Sequence, residues 1–186
     1  MNAIDLLHKR VSAPVLLEPA PTSEQLEVMF RAALRAPDHG ALSPWRCLVI
    51  EGEAREKLGD VFVKAMAAKE GELADDKRLK LTKMPLRAPT IVVVIASPQE
   101  HPKVPESEQV LTAGCAAHAM TLAAYAQGLG AIWRTGELAF DTTVKCELGL
   151  EIHEHLVGFI YLGTPMKFRE LADVEYQHKV KKWGSE

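Results

Sequence analysis

The sequence predicts an α+β fold, one domain over residues 1–186 in which a sheet is covered by helices. Three observations predict it. Apolar runs at 47–50, 90–96 and 156–162 are strand-sized and closed by turn residues. Between them, apolar residues recur at helical spacing. A length of 186 residues, with no internal repeat and no linker, suits a single core; such a chain buries roughly 70% of its unfolded surface.

Ala3–Lys9 reads as a short helix with Ile4 and Leu7 on one face, and Arg10-Val11-Ser12 as its polar exit. Pro14, Pro19 and Pro21 keep the next segment extended. Thr22-Ser23-Glu24-Gln25 matches a capping box, and Leu26, Met29, Phe30, Ala33 and Leu34 follow as one apolar stripe that Pro37 ends. Residues 38–43 read as a loop closed by Pro44-Trp45, and 47–50 as a short buried strand. Leu58, Val61, Phe62, Ala65 and Met66 make a second helical stripe. Residues 69–83 are dense in charge and read as a solvated helix or a mobile insertion.

A proline-bounded turn at 85–89 leads into Thr90–Ala96, apolar on both faces and therefore central in the sheet. Residues 109–127 form a helix rich in small residues, among them Ala113, Gly114, Cys115, Ala116 and Ala117. So thin a helix lies in the middle of the molecule or at a subunit interface. Gly128 and Gly130 end it. Residues 131–133 are a short extended piece, and Arg134-Thr135-Gly136 a polar turn. Residues 143–148 form a short helix stopped by Gly149, and 156–162 the last strand, ended by Gly163-Thr164-Pro165. The polar tail to Glu186 receives no assignment.

The chain is 47% hydrophobic and 25% charged, ordinary for a soluble globule. A formal net charge of -3 argues against nucleic acid as a main partner. Cys47, Cys115 and Cys146 are scattered with no CxxC pair, which fits a reduced cytoplasmic setting. No apolar run approaches the roughly 20 residues of a membrane span, and residues 1–10 lack the apolar region of a signal peptide.

Several chemistries fall away. His153-Glu154-His155 places two histidines two apart, yet no third or fourth ligand sits at usable spacing, so no metal site is expected. Gly128-Leu129-Gly130 follows a helix, whereas a dinucleotide-binding glycine loop needs a strand before it and a helix after. There is no GxSxG elbow, and no catalytic nucleophile is expected. Three polar clusters remain: Arg10-Val11-Ser12, the stretch from Arg35 through Pro37 to His39, and Trp133-Arg134-Thr135. Each lies where a helix or strand gives way to loop, the usual setting for ligand contacts. Arginines beside hydroxyls suit a phosphate monoester, and an apolar cleft between them suits an aromatic ring.

The order of these clusters adds to their weight. Arg10-Val11-Ser12, then Ala36-Pro37 with Pro44-Trp45, then Gly128-Leu129-Gly130-Ala131-Ile132-Trp133 resembles the nitroreductase family. The segments LLHKRVSA, RAPDHGALSPWRCLVIEG, AAYAQGLGAIWRTG and VGFIYLGTP carry the likeness from about residue 4 to 165. The resemblance implies a nitroreductase-like fold with a mostly antiparallel central sheet, and a homodimer with FMN at the subunit interface. It implies an FMN-dependent oxidoreductase that passes reducing equivalents from NAD(P)H to nitroaromatic or quinone-like acceptors by a ping-pong mechanism. A non-catalytic FMN carrier or sensor is the alternative.

Carried over residue by residue, Arg10, Val11 and Ser12 hold the phosphate and ribityl end. Trp133, Arg134 and Thr135 meet the same flavin, and Arg35 and His39 come from the neighbouring chain. Ala123, Ala124, Tyr125, Ala126, Gln127 and Gly128 lie near the nicotinamide. Arg35 is the candidate cation for the anionic reduced flavin, and His39 a binding group before it is an acid. Two positions depart from the family pattern: Val11 replaces a second arginine, and Gly40-Ala41-Leu42-Ser43 lacks an asparagine.

Overall fold

Seven consecutive buried residues make the strand Thr90–Ala96 the spine of the fold. In the computed structural model, which describes residues 1–172 and 175–184, the elements run α1 (Ala3–Lys9), β1 (Leu16–Leu17), α2 (Ser23–Ala33), β2 (Trp45–Glu51), α3 (Ala54–Glu70) and α4 (Asp75–Lys83). They continue with β3 (Thr90–Ala96), α5 (Glu106–Ala126), β4 (Gly130–Arg134), α6 (Thr142–Glu147) and β5 (His155–Pro165). Each strand pairing is antiparallel. β3 lies between β2 and β5, while the far edge of β5 takes β4 and, further along, β1. The expected α+β fold with an antiparallel sheet is what the chain adopts.

The twofold period of a strand sends neighbouring side chains to opposite faces. Ile91, Val93 and Ile95 therefore meet Leu58 and Phe62 of α3 and Leu81 of α4. Val92 and Val94 meet Leu26 and Met29 of α2 and Ala116 and Met120 of α5. The capping box forms as expected: the Gln25 amide donates to Thr22 Oγ1 at 3.3 Å and the Thr22 amide to Gln25 Oε1 at 2.9 Å. At the same end, Gln127 Nε2 donates to the Gln25 carbonyl and ties the exit of α5 to the start of α2.

Some local expectations are corrected. The stretch 47–50 is part of a longer edge strand in which only Ile50 is fully buried. Its apolar residues say nothing of strand order, and among the described residues β3 is its one partner in the sheet. The extended segment after α1 contributes β1, which pairs with Thr164 and Pro165. The charged stretch is helical, since α3 runs to Glu70 and α4 follows, with Leu73 and Leu81 buried among the lysines and acids. α5 begins at Glu106, and Gly130 belongs to β4. A Cβ at 130 would stand 2.5 Å from Leu16 Cδ2, 2.9 Å from Pro165 Cβ and 3.0 Å from Ala13 Cβ, so a side chain there would crowd the segment that carries β1. Among the described residues no helix is long and apolar enough to cross a membrane.

Candidate active site

β4 carries Trp133 and Arg134 to the end of the sheet, where a cleft of about 380 Å³ opens. Phe62, Met84, Ile132, Phe159 and Tyr161 line it together with Trp133, Arg134 and Thr135. The indole of Trp133 lies directly on Gly158, and its Nε1–H donates to the Val157 carbonyl at 3.2 Å. β5 makes this possible through a bulge: Val94 pairs with Gly158 and Ile95 with Leu156, which leaves Val157 unpaired.

Arg134 is the conspicuous group. Its Nε is buried and has no hydrogen-bond partner, and its guanidinium carbon lies 5.8 Å from the Tyr161 ring centroid. A buried donor left unpaired costs about 1–3 kcal/mol, so this one is open to an acceptor from outside the fold, a water or a ligand. Burial pushes the Tyr161 phenol up to about 12, against the opposing pull of Arg134, so Tyr161 stays neutral. Among the described residues none of Arg10, Arg35 and Arg134 forms an ion pair.

Arg10, Val11 and Ser12 leave α1 and run to Ala13, whose amide donates to the Ala131 carbonyl at 3.0 Å. The segment therefore meets the beginning of the same strand whose end bears Arg134, roughly 10 Å further on at the rise of a strand. Ser12 is exposed, whereas Val11 is buried, so its side chain belongs to the packing and only its backbone faces outward chemistry. Arg35 and His39 follow α2. His39 Nδ1 lies 2.7 Å from Glu108 Oε2, on the first turn of α5. Ala131 follows the end of α5, so its bond to Ala13 sets the Arg10 cluster beside that end. Within one chain the Arg10 and His39 clusters thus sit at opposite ends of α5, about 25 Å apart along its axis.

Ala123 through Gly128 form the last turn and exit of α5. Ala124 is wholly buried in the α2–α5 core, Tyr125 packs edge-on against Phe168, and Gln127 is hydrogen-bonded to Gln25 and Ala123. Ala126 and Gly128 are exposed.

The histidines at 153 and 155 frame a carboxylate with a different task. Glu154 is 4% exposed and takes Arg46 Nε and Nη2 at 2.7 Å each, the Ser97 hydroxyl, and the Glu151 amide. The Arg46 guanidinium pulls its carboxyl down to about 2. The cluster pins edge strand β2 and the end of β3 to the turn before β5, and His155 is itself paired with Glu106. Sequence reading passed over Glu154 because its main partner is 108 residues away.

A sequence model described as "Nitroreductase: Nitroreductase family" matches residues 14–164. This chain belongs to the nitroreductase family. It is 47% identical over 166 residues to "Putative NAD(P)H nitroreductase YdjA" of Escherichia coli K12, covering 89% of each chain. Its fold matches the crystal structure of the nitroreductase-like family protein from Bacillus cereus with a TM-score of 0.83 at 23% identity, over 100% of this chain and 97% of that one. An FMN-dependent nitroreductase from Clostridium difficile R20291 follows at 0.71 and 22% identity, over 98% and 99%. In this nitroreductase-family fold, motif reading singled out Trp133, Arg134 and Thr135. It missed Phe62, Met84 and Tyr161, which look like ordinary core residues, and Gly158, whose one signal is a glycine within an apolar strand.

Proposed function

We propose that the chain is an FMN-dependent oxidoreductase that carries reducing equivalents from NAD(P)H to nitroaromatic or quinone-like acceptors. The observation that carries this reading is the unpartnered Arg134 Nε at an apolar cleft, a donor waiting for an acceptor on a flat, mostly apolar ligand. The names of the Escherichia coli and Clostridium difficile proteins support it. When bound, the flavin supplies the two-electron chemistry between NAD(P)H and acceptor; the protein binds, orients and tunes it.

The residues fit such a group. Arg10 and Ser12 hold the phosphate and the ribityl end beside the start of β4, with the Val11 backbone between them. Trp133 and Thr135 flank the ring, and Arg134 would donate to one of its polar atoms, where a fixed cation in a dry site would stabilise negative charge. The neutral Tyr161 lies behind Arg134. No side chain serves as a nucleophile. The two substrates use one open cleft in turn, a ping-pong order, with the exposed backbone at Ala126 and Gly128 nearest the nicotinamide.

Arg35 and His39 reach the flavin from a second copy. The separation of about 25 Å between the Arg10 and His39 clusters along α5 exceeds what one mononucleotide bridges within a chain. A homodimer with a shared site resolves this, and the small residues of α5 suit close approach of two subunits. The unpaired cysteines favour the reducing cytoplasm.

The test is to add FMN, remove the excess, and record the visible spectrum before and after anaerobic NADPH or NADH. Bound flavin that bleaches and is restored by a nitroaromatic or quinone is the expected result. Bound flavin that does not bleach means a carrier or sensor, and a protein that stays colourless overturns the reading.

A further inference from the structure

We propose that Glu108 is a positioning residue for the flavin site: it fixes His39 as the Nδ1–H tautomer and so presents Nε2 outward as an acceptor. This rests on His39 meeting the flavin, as proposed above, and it specifies the group His39 meets: an N–H or O–H donor, such as the ring imide or a ribityl hydroxyl, and not the phosphate.

The loop that bears His39 is held in a costly conformation. Ala41 has φ 52° and Ser43 φ 48°, in the left-handed region that residues with a Cβ seldom enter. Such conformations persist where the surroundings over-determine them, and they gather at functional sites. Here the surroundings are plain. Asp38 accepts from the amides of Leu42 at 3.2 Å and Ser43 at 2.7 Å. Gln99 Nε2 donates to the Leu42 carbonyl at 3.1 Å. Gln99 is in turn clamped by the buried Gln109, which accepts from its amide at 2.9 Å and donates to its carbonyl at 2.8 Å.

The contact to the histidine itself comes from Glu108, the neighbour of Gln109 on α5. A carboxylate can only accept, so the 2.7 Å contact requires a proton on Nδ1. In the neutral ring the proton on one nitrogen makes the other an acceptor. His39 is 58% exposed, and among the described residues Glu108 is the one hydrogen-bond partner of its ring. A histidine oriented by a carboxylate is thus built onto a loop whose backbone is already rigid, which is the arrangement needed to offer one nitrogen in a fixed direction.

The test compares the homodimer with its Glu108→Ala, Glu108→Gln and Glu106→Ala variants. Glu106 lies on the same helical turn, bears the same charge and pairs with His155 instead. Two quantities are read: the His39 tautomer from imidazole 15N shifts at mildly alkaline pH, assigned with His39→Gln, and the FMN dissociation constant from quenching of flavin fluorescence. In the wild type the Nδ1–H form is expected alone. Glu108→Ala mixes the tautomers and weakens FMN about tenfold, as loss of one oriented hydrogen bond implies. Glu108→Gln, whose amide oxygen still accepts, stays within about threefold, and Glu106→Ala matches wild type in both readouts. A wild-type ring found as Nε2–H, or FMN bound equally well by Glu108→Ala, overturns the positioning role while the flavin reading stands. A wild type that takes up no FMN overturns the flavin reading and this assignment with it.

Discussion

Gly158 is the point where the cleft can be broken by one methyl group. A Cβ there would stand 2.1 Å from Trp133 Nε1, 2.7 Å from its Cδ1 and 3.0 Å from the Arg134 carbonyl. The first two distances are not attainable, so the indole must swing off β5. Its hydrogen bond to Val157 goes with it, a net loss of about 1 kcal/mol. Residual crowding against the Arg134 backbone adds about 1–3 kcal/mol, toward the lower end because Trp133 is 37% exposed and can escape into solvent. The backbone at 158 has a φ of 155°, which strains any residue with a Cβ by about a further 1–3 kcal/mol. Gly158→Ala is therefore expected to cost about 3–6 kcal/mol, a fall in Tm of roughly 6–24 °C for a chain of this size. The assay is urea unfolding of Gly158→Ala alone and in a Trp133→Ala background. Without the indole the alanine still meets the Arg134 carbonyl and still carries the strain of a φ of 155°, so its cost should fall by about 1–2 kcal/mol without vanishing, a coupling that a double-mutant cycle isolates. An equal cost in both backgrounds, or a single-variant cost under about 0.5 kcal/mol, refutes the account of how Trp133 is seated.

Two further predictions follow from the other polar groups. Glu154 is held ionised, with its carboxyl lowered from 4.5 to about 2 by Arg46, so its contribution is complete above the unfolded value and is lost as pH falls from about 4.5 toward 2. On the order of 3 kcal/mol of stability should disappear across that window; urea midpoints measured down the acid range should fall more steeply for the wild type than for Glu154→Gln, and parallel curves would rule the assignment out. Arg134→Met removes a buried donor that has no hydrogen-bond partner among the described residues, so the apoprotein should unfold at an unchanged or higher urea concentration while FMN affinity drops at least about tenfold; a destabilised apoprotein with normal flavin binding would contradict both the site and the role given to Arg134.

Much of the scaffold is legible in the sequence because its signals are local. Thr90–Ala96 announces a central strand by being apolar on both faces, and Thr22 with Gln25 announces a helix start that the structure builds bond for bond. The Trp133-Arg134-Thr135 cluster was likewise visible as a polar break after an apolar strand. Strand order is a different kind of fact. The run 47–50 reads as buried, yet it lies at an edge, since nothing within it says how many neighbours it will have. In the charged stretch, Leu73 and Leu81 were hidden by the lysines and acids that surround them.

The carboxylates show where sequence reading stops. Glu108 falls just outside the helix that the sequence predicts from 109, and Glu154 lies between two histidines that lack further ligands at usable spacing. Their partners, His39 and Arg46, stand 69 and 108 residues away. An acid at a helix start is worth a few tenths of a kcal/mol as a dipole residue, but the same acid against an imidazole decides which nitrogen a ligand meets. The difference lies in the partner, and the partner is brought in by the fold: α2 packs along α5, so the loop after α2 returns to the first turn of the helix. That return also explains why motifs adjacent in the sequence pattern are not adjacent in one chain. It delivers His39 to the start of α5 while the exit of α1 meets its end. A family signature that reads as one site along the sequence is, in the fold, two clusters about 25 Å apart along one helix.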